Sequence, residues 1–366
     1  MAGIEKKDPR AASSYSLFKA DLLYCINELL AVEGVSGRQC EELREKIEAN
    51  AFNLVVAGQF KRGKTSLINA LLGAEILPVS VVSLTSIATI ITYGESVRTK
   101  AHFNDGRVED INPGSLPEYV TGKGNPKNVK DVSEVVITYP SPYLKDGVRL
   151  IDTPGVGSIY QHNTDVAYRY LPKSDAVLFL LSVDQPMGKA ELDFLKDVRE
   201  YSSKIFFLLN KADYLNEHDL KESLDFSLNV LREAMGPDIK IFPASARLAL
   251  EGKLNDSVSM LQKSLLPKFS EALADFLMEE KGNVLIAAAV NNLIKMVSQL
   301  RFTLELEAKS LEMPLEELRQ KIAAFERKKE EALTEKRDFD FPLDGKIKIR
   351  IGLLRLFSFV LGIQFA

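Results

Sequence analysis

The chain has 366 residues, of which 46% are apolar and 27% charged, and its net charge is −4. That length leaves room for two or three domains, and that balance excludes a collagen-like, disulfide-stapled or wholly disordered chain. The small negative charge supplies no global basic field, so no nucleic-acid partner is expected.

Met1 to Ala12 is polar and charged and lacks the apolar core of a signal peptide. No stretch reads as the roughly 20 apolar residues that span a bilayer, so a cytoplasmic chain is expected. Ser14 to Val32 carries Phe18, Leu22, Ile26, Leu29 and Leu30 at helical spacing. Gly34 to Gly37 breaks that helix, and a more charged one follows over Glu41 to Asn50. Cys25 and Cys40 fall in this helical text without a CxxC partner and read as idle thiols in a reducing compartment. His102, His162 and His218 are scattered without metal-ligand spacing.

From Phe52 the text changes to short apolar runs separated by helical stretches, the pattern of an α/β domain with a mostly parallel sheet. Strands are predicted over Asn53–Ala57, Ile87–Tyr93, Val135–Tyr139, Val148–Ile151, Ala176–Ser182, Ile205–Leu209 and Ile239–Phe242. After Ala246 the strands stop. Ser257 to Glu280 reads as helical, Gly282 as an interruption, and Asn283 to Arg337 as one or two long helices with a break at Pro314. The expected domains are therefore residues 1–50, 51–280 and 281–366.

Three motifs follow predicted strands. Gly58, Gln59, Phe60, Lys61, Arg62, Gly63, Lys64, Thr65 and Ser66 fit G-x-x-x-x-G-K-S/T. In such a loop the glycines let successive N–H groups face phosphate oxygens, and the following helix adds its dipole. Lys64 is expected on the β- and γ-phosphates and the Thr65 hydroxyl on Mg²⁺. Asp152-Thr153-Pro154-Gly155 comes next, with Asp152 suited to hold Mg²⁺ through water and the Gly155 N–H to meet the γ-phosphate. Asn210-Lys211-Ala212-Asp213 is the third. Asp213 can accept from the N1–H and exocyclic amine of guanine, a pair adenine lacks. Asn210 can brace the phosphate loop, the Lys211 stem can lie over the base, and an amide within Ser245-Ala246-Arg247 could touch guanine O6. Each motif alone could be an ordinary polar turn. In this order, each at a strand end, they point to a site that binds and hydrolyses GTP to GDP with Mg²⁺.

The run GQFKRGKTSLINALLG followed by ILPVSVVSLTSIATIITYG resembles the bacterial dynamin-like GTPases. The resemblance covers about Phe52 to Glu280 and implies a P-loop GTPase domain flanked by helices from both ends of the chain that form a bundle or neck. It places Thr85 as the switch threonine that ligates Mg²⁺ and orients water, with Thr89 as the fallback. Ser80 and Ser83 depart from the glycine and proline the family often has there. Val156 stands where small GTPases carry their glutamine. The resemblance implies that the catalytic charge comes from a monovalent cation, or from Lys61, with Arg62 as alternate. It also implies a homodimer across the nucleotide face or a paired dynamin-like subunit, a membrane partner and hydrolysis coupled to movement of the bundle.

Residues 341–366 combine Lys346, Lys348, Arg350 and Arg355 with apolar neighbours. They read either as a basic apolar segment for an anionic membrane at its inner face, or as a buried or truncated stub of the C-terminal stalk. Two other readings of the whole chain stand beside the dynamin-like one. One is a switch GTPase recruiting a protein or ribonucleoprotein partner, and the other is a nucleotide-dependent scaffold without turnover.

Overall fold

A computed structural model describes residues 9–32, 34–79, 87–156, 161–312 and 315–338. Helices α1 (Pro9–Leu30) and α2 (Gly37–Glu48) lead into β1 (Phe52–Ala57) and α3 (Lys64–Leu72). Next come β2 (Thr89–Tyr93), β3 (Arg98–Phe103), β4 (Val108–Ile111), α4 (Pro117–Val120), β5 (Val132–Tyr139) and β6 (Val148–Asp152). The chain then alternates through α5 (Gln161–Tyr170), β7 (Ala176–Ser182), α6 (Lys189–Tyr201), β8 (Lys204–Asn210), α7 (Glu217–Met235) and β9 (Ile241–Pro243). Helices α8 (Ala246–Leu254), α9 (Val258–Lys263), α10 (Leu266–Glu279), α11 (Lys281–Glu312) and α12 (Leu315–Asp338) complete it.

The strands form one nine-stranded sheet in the order β4-β3-β5-β2-β6-β1-β7-β8-β9. Strands β6, β1, β7, β8 and β9 run parallel. Strand β2 is antiparallel to β6 and parallel to β5, and β3 is antiparallel to both β4 and β5. Every residue of β1 and β7 is buried, because helices cover both faces. Alternate residues serve the two faces. Val55, Ile151, Val177, Phe179, Phe207 and Leu209 pack with α5 and α6 on one. On the other, Phe52 and Phe206 stack edge-on against Phe276 of α10, with ring centroids 5.9 and 5.2 Å apart.

The carboxyl ends of β1, β6, β7 and β8 and the amino end of β2 lie at the same edge of this sheet. That edge is where a parallel sheet delivers loops to a site. The hairpin β3–β4 was not among the predicted strands. Gly282 does not interrupt a helix but lies in the first turn of α11, and the break falls at Glu280.

The chain divides into two compact units, one of residues 1–31 and 37–290, the other of residues 32–36 and 291–366. The first holds the sheet together with α1 and α2. Among the described residues one helical stretch, Lys281–Lys309, is long and apolar enough to cross a membrane by length and composition alone. This differs from the expectation that no stretch reaches that length and apolarity. A core helix passes the same test, and this one buries Leu285 and Ala289 while exposing Ile294 and Val297.

Candidate functional site

Strand β1 ends at Ala57, and the chain curls through Gly58 to Gly63 before entering α3. Lys61 and Gly63 take left-handed φ angles of 66° and 91°. A Cβ on Gly63 would strike the Asn210 side chain, so only glycine fits there. Lys64 is buried, and its ammonium donates to the carbonyls of Gly58 (3.1 Å) and Gln59 (3.2 Å). Burial pulls the ammonium down to about 8, against the opposing pull of Asp152 and Glu191. A triphosphate would meet a cation already aimed into the loop.

The Thr65 hydroxyl donates to Asp152 Oδ2 at 2.8 Å, and the other carboxylate oxygen, Oδ1, is buried with no hydrogen-bond partner. Burial raises the Asp152 carboxyl to about 6, opposed by Lys64 and by the Thr65 bond. An orphaned buried carboxylate oxygen beside a hydroxyl is the donor set a hard divalent cation takes, so the residues fit Mg²⁺. Thr153 donates to Val56 O at 2.8 Å, and the Phe60 N–H donates to Val156 O at 3.1 Å. These bonds seat the Asp152–Gly155 turn against the phosphate loop. A Cβ on Gly155 would come within 2.6 Å of Phe60 Cα and 2.9 Å of Lys64 Nζ, so the turn needs glycine for this approach.

At the end of β8, Asn210 donates to Arg62 O (2.9 Å) and accepts from Ala246 N (3.0 Å), tying the phosphate loop to α8. The Asp213 carboxylate accepts from Arg247 at 2.8 Å. Burial pulls that carboxyl upward, but hydrogen bonds from Ser245 and Arg247 outweigh it and hold it below its usual range. The Lys211 ammonium is held by Asp184 Oδ2 at 2.6 Å. Two amides expected near the base already donate elsewhere, Ser245 N to Ser264 O at 2.7 Å and Ala246 N to Asn210. Ser245 also caps α8, its hydroxyl accepting from Leu248 N.

Other residues stand differently from the expectation. Arg62 is not available as a catalytic charge, because its guanidinium is fully buried and paired with Glu191 at 2.5 Å. Lys61 is exposed, its ammonium 5.4 Å from the Phe60 ring centroid. Gln59 and Ser66 are part-buried on the same loop and helix start. Thr85 lies outside the described residues. Thr89, the fallback, is buried at the start of β2 with Asp152 as its cross-strand partner. Glu191, Ser182 and Asp184 were not singled out from the sequence. No sequence motif marks Glu191, and only the fold brings it across 129 positions to Arg62.

The model of the Dynamin family matches residues 54–212. The "uncharacterized protein in xynA 3'region" of Caldicellulosiruptor sp. (strain Rt8B.4) is 43% identical over 77% of this chain and 71% of its own length. A "bacterial dynamin-like protein" of Nostoc punctiforme is 26% identical over 72% of this chain and 44% of its own length. A solved structure described as an oligomerised bacterial dynamin pair for the long-range sensing and tethering of membranes superposes with a TM-score of 0.55 and 22% identity. It covers 92% of this chain and 54% of that one. The chain thus spans about half the length of these two dynamin-like proteins.

Proposed function

The chain belongs to the dynamin family, and from that premise we propose that it binds GTP with Mg²⁺ and hydrolyses it to GDP and phosphate. The observation that carries this is the convergence of Lys64, Thr65 and Asp152 at one strand edge, with Asn210 fastening the base-reading loop to the same phosphate loop. Lys64 would meet the β- and γ-phosphates, and Thr65 with Asp152 would hold the cation that offsets charge on the transferred phosphoryl group. Asp213 would select guanine. Thr85 would complete the metal site as the switch threonine. The catalytic charge would come from Lys61 or from a bound monovalent cation.

Hydrolysis would be coupled to dimerisation across the nucleotide edge and, through residues 1–50 and 281–366, to movement of helices at a membrane surface. The Nostoc relative is named a dynamin-like protein, and the solved neighbour is described as tethering membranes. Both support a membrane surface as the place of action, and we place the chain peripherally on its cytoplasmic face. The reading is tested by GTP turnover with and without Mg²⁺, beside ATP and a Lys64→Ala variant. Mg²⁺-dependent turnover of GTP alone, lost in Lys64→Ala, is expected. Turnover that survives Lys64→Ala, or equal turnover of ATP, would defeat it.

A further inference from the structure

Arg62 occupies a spacer position in the phosphate-loop pattern, where nothing in phosphate binding calls for a charge. Yet its side chain has 0% exposure and pairs with a Glu191 side chain that also has 0%. Burying such a pair costs several kcal/mol per ion in desolvation unless the remaining donors are satisfied. Here they are satisfied, and the partners indicate what the pair does. The guanidinium edge formed by Nε and Nη2 meets the two oxygens of the Glu191 carboxylate. Nη1 also donates to Ser182 Oγ (2.9 Å) and to the carbonyl of Gln185, and Nη2 to the carbonyl of Pro186 (3.3 Å). Two of these acceptors are main-chain oxygens of the turn that leaves β7 and enters α6.

That turn is fastened at its other side to the base-reading loop. Asp184 accepts from the Lys211 ammonium at 2.6 Å, and Val183 N donates to Asn210 O at 3.1 Å. Against the upward pull of burial, the bond from Lys211 holds the Asp184 carboxyl below its usual range. Asn210 in turn donates to the carbonyl of Arg62 itself, at 2.9 Å. The contacts close a ring from Arg62 through the 182–188 turn to Asp184, Lys211, Asn210 and back to Arg62. One side of the ring is the wall of the phosphate loop, and the other is the motif that reads the base.

We propose that Arg62 and Glu191 are positioning residues that lock the phosphate loop and the base-reading loop into one unit through the 182–188 turn, and so control nucleotide release. The inference rests on the reading of this cleft as a guanine-nucleotide site. Loosening the ring at either end then frees both loops, and a second cut in the same ring adds little.

The test is a double-mutant cycle read as the release rate of a fluorescent GDP analogue from the full chain. One arm is Arg62→Met with Glu191→Met, a volume-matched apolar replacement that buried pairs often tolerate. The other is Asp184→Asn, an exposed change. Each arm is expected to speed release about tenfold, and the combination little more than either, as groups in one network do. A melting curve beside each rate separates loosening of the site from general destabilisation. Arg62→Lys keeps a charge for Glu191 but loses the fork to the two carbonyls, and it serves as the first arm if the methionine pair does not fold. Multiplying effects, or wild-type release rates in either arm, would overturn the inference alone. A wild-type chain that binds no GDP would overturn the guanine-nucleotide reading and the inference with it.

Discussion

Two adjacent basic residues of the phosphate loop have opposite fates, and the backbone decides between them. Lys61 takes a φ of 66° and is exposed, while Arg62 turns into the wall and is spent on Glu191 and the 182–188 turn. Of the two side chains proposed for the catalytic charge, only Lys61 keeps an ammonium at the open edge. Val156 stands where a water-orienting glutamine would be and cannot help. If Lys61 serves the transition state, removing it should slow single-turnover hydrolysis by about 10²–10³-fold, as loss of one preorganised donor does. GTP affinity should hardly change. Lys61→Asn is the informative substitution, since asparagine tolerates the left-handed backbone that alanine resists. Stopped-flow release of phosphate measures the rate, and a wild-type rate at unchanged affinity would remove Lys61 from the reaction. The contrast between these neighbours was not legible in the sequence, because the choice depends on a backbone angle and on a carboxylate contributed by α6.

At the scale of elements, strands buried on both faces were the readable ones. Strands β1 and β8 are near-continuous apolar runs, and their motifs could be placed at the strand ends directly, whereas β7 is equally apolar but is followed by no motif the sequence singles out. Strands β3 and β4 were missed because β4 is the edge strand with β3 beside it, and together they carry Arg98, Lys100, Glu109 and Asp110, residues that read as loop. Asn69 was missed for a different reason: in sequence it is one polar residue inside a helix. In the structure it is fully buried, donating to Leu77 O (2.8 Å) and accepting from Ile76 N (3.2 Å) and Leu77 N (2.9 Å). It pins the segment that leads from α3 towards the expected switch. Asn69→Ala leaves those main-chain groups unpaired and should cost about 2–3 kcal/mol. Urea denaturation would show this as a lower midpoint at constant slope. A midpoint within error of wild type would mean that water replaces the side chain.

For the whole molecule, the question is what completes a site whose phosphate side lies at an exposed edge. Lys61, Asp184, Gln185 and Pro186 are all exposed along the loops at the carboxyl ends of β1 and β7. Preorganised charge acts most strongly where water is excluded, because the local dielectric is then low. A second copy placed over this edge would exclude it, and a two-fold interface presents the same patch from both molecules. Hydrolysis completed by such a pairing is second order in chain at low concentration. The specific GTP turnover should therefore climb with protein concentration and level off once the dimer is saturated. A lone chain, or one activated by a different partner, gives the same turnover per molecule at every concentration. Initial rates over a dilution series at saturating Mg²⁺ and GTP separate the two. A flat line would defeat the dimer while leaving the GTP chemistry of Lys64, Thr65 and Asp152 standing.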